Sequence, residues 1–392
     1  MRRIAALGLI SGMLVLGCTQ SEDPLYVDPA EQDFSENPEL LERILDSPHG
    51  YLRFINIPFS QEVCRRFGDS LDGVPHFNLH GDAHVEQYAV TDLGRGLTDF
   101  DDSSTGPAVI DLIRLAVSLR LASQMRGWDA RADEILDRVI QGYREALEDP
   151  ETIAPTPTVA ERLTAGFEYD REKYFEWVDS IIEPVPPEEA AALTVALGPY
   201  VEAMVAESSD LEPRFFEVVS LGVLRLGIGS ALDRKYLVRI RGHSDHQEDD
   251  LMLELKQVRD LTGIDCISVG QGTDPFRILV GQSRIAYQPY RLLGYVRFQG
   301  LTFWIHAWVD NYVEASIRET FQSPEELAEV AYDIGVQLGR GHPNQIASPL
   351  DLQLRREQLR LLERDEERIK ATTKNLALEV TEAWQRFRTA QE

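Results

Sequence analysis

Two histidines and six acids fall within three short blocks of the chain: His80-Gly81-Asp82-Ala83-His84-Val85-Glu86-Gln87, Thr98-Asp99-Phe100-Asp101-Asp102 and Gly106-Pro107-Ala108-Val109-Ile110-Asp111-Leu112. Carboxylates gathered this closely repel one another unless a cation or a proton holds them together. The blocks therefore point to a divalent-metal site or to acid/base chemistry. Gly81 lets the backbone turn sharply and present Asp82. Asp99 and Asp101, two apart on an extended segment, share a face and can both reach one metal. His80, Asp82, His84 and Asp99 could together serve as the ligands of a divalent-metal-dependent hydrolase. On residue types alone, a solvated acidic loop is the plainer account in a chain with 66 acids.

The elements that must hold these blocks can be read from hydrophobic period and capping. Residues 36–46 read as a short helix, with Asn37 as N-cap and Pro38 at the first helical position. The segment 75–102 alternates and then gathers Asp and Gly, which predicts strands and loops. From Gly106-Pro107 the period turns helical as far as Leu119, and further helices are predicted near 129–147, 158–182 and 187–207. After Pro213 the stretches 215–226, 235–241, 251–258 and 295–309 are rich in β-branched, aromatic and alternating residues, with turns at Gly227-Ile228-Gly229-Ser230 and Gln299-Gly300. Ser323-Pro324-Glu325-Glu326 is a capping-type start, after which the chain is helical again. Leu362, Ile369, Leu376 and Ala383 recur every seven residues and predict one long helix over 351–388. The expected fold is α+β, mainly helical: a helical lobe over 36–213, a small antiparallel sheet lobe over 214–310, and C-terminal helices over 311–392.

Charge and the N-terminus bound the class of function. The chain has 392 residues, 27% charged and 43% apolar, a composition of folded proteins with two domains or two lobes. Its 39 basic residues against 66 acids leave −27, a surface that repels phosphate backbones and argues against nucleic acid as a partner. Met1-Arg2-Arg3 precedes an apolar run of 13 residues, Ile4 to Leu16. That is short of the roughly 20 residues that span a bilayer and normal for a signal peptide. Val15-Leu16-Gly17-Cys18 reads as a bacterial lipobox. Residues 1–17 are therefore expected to be removed, Cys18 to be lipidated, and 18–35 to act as a tether. Losing Arg2 and Arg3 would leave 37 basic residues against 66 acids, or −29. The expected location is the cell envelope, on the periplasmic face of the outer membrane of a Gram-negative bacterium, with the membrane as partner through Cys18. Cys64 and Cys266 then face an oxidising compartment, as a disulfide or as two buried thiols. No Gly-x-Ser-x-Gly, Cys-x-x-Cys or His-Glu-x-x-His pattern occurs, which argues against serine-hydrolase, redox and zincin chemistry. His243 and His246 read as a solvated hairpin loop, and Trp304, His306 and Trp308, alternating along one strand face, as core packing.

The order of the three blocks resembles the bacterial domain-of-unknown-function family 2252, whose hallmark is a Gly-Asp-Ala-His loop followed by an Asn-Asp-Phe-Asp-Glu and Gly-Pro run. The same blocks are similar to the His-Gly-Asp loop and metal-binding Asp of aminoglycoside-phosphotransferase-like kinases. The resemblance implies a catalytic loop of His80, Asp82 and His84, in which Asp82 acts as base or positions the acceptor hydroxyl and His80 and Asp111 support the loop. It implies Gln87 and Asp99 as metal ligands, to which the spacing adds Asp101. Gly227-Ile228-Gly229-Ser230 matches a Gly-x-Gly-Ser turn, and Lys256, closing the strand Leu251-Met252-Leu253-Glu254-Leu255, matches a strand lysine. Gly227, Gly229, Ser230 and Lys256 are thus the implied cofactor-binding residues. Gly281-Gln282-Ser283-Arg284 and the stretch from Gly335 to His342 extend the resemblance over roughly residues 50 to 345. The implied protein is a two-lobed protein-kinase-like phosphotransferase using Mg²⁺ or another divalent cation and ATP, with an unknown small-molecule or protein substrate.

Two features depart from that pattern. The loop precedes the glycine turn and the lysine, so either the kinase-like fold is circularly permuted or the likeness is local. Gln87 stands where asparagine is usual, and its extra methylene displaces the amide by about 1.5 Å. Mg²⁺ tolerates little distortion of its octahedron, so one loosely held cation is expected. An exported protein also meets little ATP. That leaves another phosphate donor, or a catalytically inactive pseudokinase-like binding protein, as alternatives.

Overall fold

The computed structural model describes residues 23–35, 38–224, 233–270 and 272–391. The signal segment with Cys18, the N-cap Asn37 and the Gly227-Ile228-Gly229-Ser230 turn lie outside the described residues. The chain is a mixed α+β protein, 53% helical, with antiparallel sheets.

Helices α1 (Pro38–Asp46), α2 (Pro48–Phe54) and α3 (Asn56–Phe67) come first. Ser47 caps α2 by accepting the Gly50 N–H. Strands β1 (His76–Leu79), β2 (Tyr88–Thr91), β3 (Gly94–Leu97) and β4 (Ser104–Pro107) follow. β1 pairs antiparallel with β4, so the two acidic blocks leave and re-enter the same small ladder. Next come α4 (Val109–Met125), α5 (Ala132–Glu148), α6 (Thr158–Thr164) and α7 (Arg171–Ile181). The single helix expected over 158–182 is thus two, because Asp170 starts a new one by accepting the Lys173 N–H. The stretch 187–207 is likewise two helices, α8 (Pro187–Ala196) and α9 (Gly198–Glu207), preceded by the short strand β5 (Ile182–Pro184). Pro199 starts the second of them at a position where its missing N–H costs nothing.

The sheet is built from β5, β6 (Val218–Leu224), β7 (Lys235–Ile240), β8 (Leu251–Gln257), β9 (Gly294–Phe298) and β10 (Leu301–Ala307). Its order is β5-β6-β7-β8-β10-β9, antiparallel throughout. β9 and β10 are joined by Gln299-Gly300, both at positive φ (50° and 77°), the geometry a two-residue hairpin turn requires. One face carries Tyr236, Val238, Leu253, Leu255, Phe303 and Ile305 and packs under Leu193, Leu197 and Tyr200 of α8 and α9. The other face carries the cross-strand rows Lys235–Lys256–Trp304 and Leu237–Glu254–His306. A strand normally places such charges in water, yet these side chains are buried. That face looks inward, toward the helices.

A helix not expected from the sequence, α10 (Phe276–Ile285), interrupts the strand-rich region and packs on β1 and β4. β11 (Tyr312–Glu314) then pairs with β2, and α11 (Pro324–Gly341) and α12 (Leu350–Gln391) complete the described chain. Ser323 caps α11 by accepting the Glu326 N–H. α11 lies so close to α5 that a Cβ on Gly335 would stand 2.4 Å from the Val139 carbonyl oxygen. Leu362, Ile369, Leu376 and Ala383 bury one side of α12 along α2, α4 and α5.

Cys64 and Cys266 form a disulfide across a sequence separation of 202 residues, tying α3 to the segment before α10. Closing so long a loop restricts the unfolded chain, and its removal is worth about 4 kcal/mol. Cys64→Ser combined with Cys266→Ser is expected to lower the urea midpoint to that of the wild type unfolded in dithiothreitol. A double variant as stable as the oxidised wild type would contradict this.

Candidate functional site

The loop from His80 to His84 is held from below by α4. Asp111, in the first turn of that helix and fully buried, accepts the His80 N–H (2.7 Å) and the Gly81 N–H (2.8 Å). His342 Nε2 stands 3.1 Å from the same carboxylate, and its Nδ1 meets the Tyr143 hydroxyl at 2.9 Å. Burial opposes ionisation of Asp111, but these contacts outweigh it and hold its carboxyl below the usual range. Gly81 sits at φ +84°, and Asn56 Nδ2 donates both to its carbonyl (3.0 Å) and to Asp102 Oδ2 (2.7 Å).

His80 turns away from the cavity that the loop borders. Its Nε2 donates to the Thr98 carbonyl (2.8 Å), while Nδ1 accepts the Asp82 N–H (3.3 Å). Both ring nitrogens are therefore spent on the loop, which is a supporting place and not that of a catalytic or metal-binding group. Asp82 and His84 do line the cavity. Arg114, buried in the middle of α4, donates from Nε to Asp82 Oδ1 (2.6 Å). Burial nevertheless raises the Asp82 carboxyl, with Asp102 adding to the effect and Arg114 opposing it. His84 Nε2 lies 3.7 Å from Asp82 Oδ2, and neither of its ring nitrogens has a hydrogen-bond partner among the described residues. Burial first, then the nearby Arg53 and His49, keep it neutral well below its ordinary pKa.

The second block does not run as an extended strand. Asp99 is at φ +58°, in the left-handed region that Asp tolerates better than most residues. The chain turns there, and the two carboxylates converge on Lys256 from β8. The Lys256 ammonium bonds Asp99 and lies 2.6 Å from Asp101 Oδ2. Trp304 Nε1 donates to Asp101 Oδ1 at 2.6 Å. Burial opposes ionisation of Asp99, but Lys256 and a hydrogen bond from Asp101 hold it well below the usual range. Burial and the Asp99 charge push Asp101 up to about 8. Lys235 stands directly across from Lys256, and burial together with that like charge lowers its pKa. Two opposed lysines destabilise a sheet; the aspartates supply the counter-charge. Gln87 is buried on the cavity wall, its carbonyl accepting the Thr98 N–H and hydroxyl (2.9 and 3.0 Å).

The cavity between the loop and the sheet is about 560 Å³, and Asp82, His84, Gln87, Asp99, Asp101 and Lys256 all border it. The proposed hydrolase ligand set does not gather, since His80 is committed to the loop. Among the described residues no group of three or more His, Cys, Asp or Glu side chains is placed to hold a metal ion. Glu86 belongs elsewhere. Burial opposes its ionisation, but His49, Arg53 (3.1 Å) and the Ile317 N–H hold it near about 2.

Several site residues carried no clear signal in the sequence. Arg114 interrupts an apolar helix and reads as a surface position. Arg259 Nη1 reaches Asp102 Oδ2 at 3.1 Å, and Arg277 Nη1 donates to the Asp101 and Ser103 carbonyls, so two arginines pin the aspartate turn. Glu254 shares strand parity with Lys256, and that alternation is the available clue; Lys235 reaches the same face only through the register of β7 against β8.

These features define a class: a mainly helical α+β protein whose antiparallel sheet closes a charged cavity over a helix-supported loop. The chain belongs to the bacterial domain-of-unknown-function family 2252, described as "Uncharacterized protein conserved in bacteria", whose model matches residues 37–176 and 167–390. No curated protein and no solved structure matches it significantly.

Proposed function

We propose that the cavity is a phosphoryl-transfer site on a two-lobed, kinase-like scaffold with the lobes in permuted order. One observation carries the reading: Asp82, Asp99, Asp101 and Lys256, drawn from a helical region and a distant sheet, border a single cavity. Lys256 binds phosphate oxygens of the donor, which is ATP or another phosphate ester. Asp99 and Asp101 already face a cation, the Lys256 ammonium, so their oxygens suit a divalent ion such as Mg²⁺, with the Gln87 amide as a further donor. Such an ion, when bound, neutralises charge on the phosphates. Arg114 fixes Asp82 through Oδ1, leaving Oδ2 to accept the hydrogen bond of an acceptor hydroxyl. Its raised pKa suits it to taking up that proton. Neutral His84 beside it offers a second hydrogen bond without adding charge.

The protein is further proposed to be exported and anchored at the cell envelope through Cys18. The Cys64–Cys266 disulfide supports an oxidising compartment.

The test follows binding and transfer in the full-length chain. Asp99→Ala is expected to abolish Mg²⁺-dependent ATP binding. Asp82→Asn should keep that binding and lose transfer by about 10²–10⁴-fold. Binding without transfer in the wild type would replace this reading with a pseudokinase-like binding protein. Mg²⁺-independent binding that Asp99→Ala leaves intact would remove the site altogether.

A further inference from the structure

The sheet side of the cavity contains a carboxylate that phosphoryl transfer does not need. Glu254 lies two residues before Lys256 on β8, on the same face, about 7 Å away along the strand. It is 8% exposed and borders the cavity. Its Oε2 takes two donors, His306 Nε2 (3.0 Å) and Trp308 Nε1 (2.7 Å). Burial opposes its ionisation, yet His306, Lys256 and Lys235 hold its pKa near about 2, so it is ionised at any physiological pH. An ionised carboxylate has about four acceptor sites, more than two donors fill.

The aromatic residues around it limit what can sit there. His306 is stacked between Trp304 (4.6 Å) and Tyr290 (4.3 Å), and Trp308 is stacked on Trp177 (5.8 Å). His306 has both ring faces covered, so a nucleobase beside Glu254 cannot stack on it, while the polar edges of His306 and Trp308 converge on Glu254. A ligand ammonium is disfavoured for a different reason. Lys256 and Lys235, opposite each other on this face, already supply the cationic charge that Glu254 faces.

Resting on the phosphoryl-transfer reading, we infer that Glu254 is a ligand-binding carboxylate and that the phosphate ester in this cavity has a neutral polyol, a sugar or a shorter hydroxylated chain, as its organic part. Lys256 takes the phosphate, and Glu254 accepts hydrogen bonds from hydroxyls one strand repeat away. The ester is the donor of the transferred group or its product, and a nucleobase is not read.

The experiment titrates the full-length chain with glucose 1-phosphate, glucose 6-phosphate, glycerol 3-phosphate, inorganic tripolyphosphate and ATP. Fluorescence of Trp177, Trp304 and Trp308, which border the cavity, reports binding. At least one polyol phosphate should bind and lose tenfold or more in affinity in Glu254→Gln, which keeps an acceptor oxygen for His306 and Trp308. Tripolyphosphate, which has no hydroxylated part, should bind Glu254→Gln at least as tightly as the wild type, because the substitution removes a negative charge beside Lys256. Trp308→Phe, which removes one of the donors that orient Glu254, should weaken the polyol phosphate alone. The inference is overturned if tripolyphosphate binds and no polyol phosphate does, if Glu254→Gln changes nothing, or if ATP alone is bound and depends on Glu254. Failure of tripolyphosphate and every ester to bind would instead overturn the phosphoryl-transfer reading itself.

Discussion

Gly81→Ala is expected to destabilise the protein by about 4 kcal/mol and to abolish ligand binding in the cavity. Two independent costs add at this residue. Its φ of +84° is open to glycine and strained for alanine, a penalty of about 1–3 kcal/mol. A Cβ placed there would also stand 1.8 Å from the Asp102 carbonyl oxygen, which is backbone and has no rotamer to yield. Forced displacement of a packed neighbour costs about 1–3 kcal/mol more. The movement has nowhere harmless to go, because Asp102 is tied to Asn56 and Arg259 and lies next to Asp101. Relief at Gly81 would therefore shift the aspartate turn that meets Lys256. Urea unfolding measures the first effect and the tryptophan titration the second. A variant within 1 kcal/mol of the wild type, with its binding intact, would show that the loop is not built as described.

The elements most legible in the sequence are those whose signal is local. The seven-residue recurrence of Leu362, Ile369, Leu376 and Ala383 sees one partner surface, so α12 follows from the pattern alone. Gln299-Gly300 needs only its own backbone angles to close a hairpin. The acidic blocks were visible because their residue types are costly to gather for no purpose. What escaped the sequence is set by distant partners. Asp99 reads as part of an extended run, but its left-handed backbone is fixed by a turn that Arg259 and Arg277 hold from another part of the chain. His80 has the residue type of a catalytic base, and only the positions of Thr98 and the Asp82 N–H show its nitrogens to be spent. Glu254 alternates with apolar residues as a solvent-facing strand residue would. Its burial comes from the helical layer that covers this face, and no local pattern reports that layer.

Lys256→Met is expected to destabilise the protein in a way that grows with pH. Methionine nearly matches the lysine stem in length and flexibility, so the substitution removes charge with little change in packing. Lys256 is 6% exposed and its ammonium is the cation between Asp99 and Asp101. Breaking a buried pair by removing one partner costs about 3–5 kcal/mol, because the remaining charge is left uncompensated. Here the remaining groups can take a proton, and the sign follows from their pKa shifts. The folded pKa of Asp101 is raised from 3.8 to about 8, so its contribution to stability is full below 3.8 and is lost as pH rises through about 8. Asp99 is shifted the other way. Its contribution is present above 3.8 and lost only as pH falls through its much lower folded value, and Lys256 is the main group holding it there. Without the ammonium Asp99 loses that support, and a proton can replace the missing charge only in acid. Unfolding in urea at pH 5 should therefore show at most half the loss seen at pH 9, where the wild-type pair is ionised against Lys256 and the loss is about 4 kcal/mol. Tripolyphosphate affinity should fall at least tenfold at pH 6, where the variant remains folded. A stability loss of the same size at both pH values would mean that Lys256 acts through packing, and that the two aspartates do not depend on its charge.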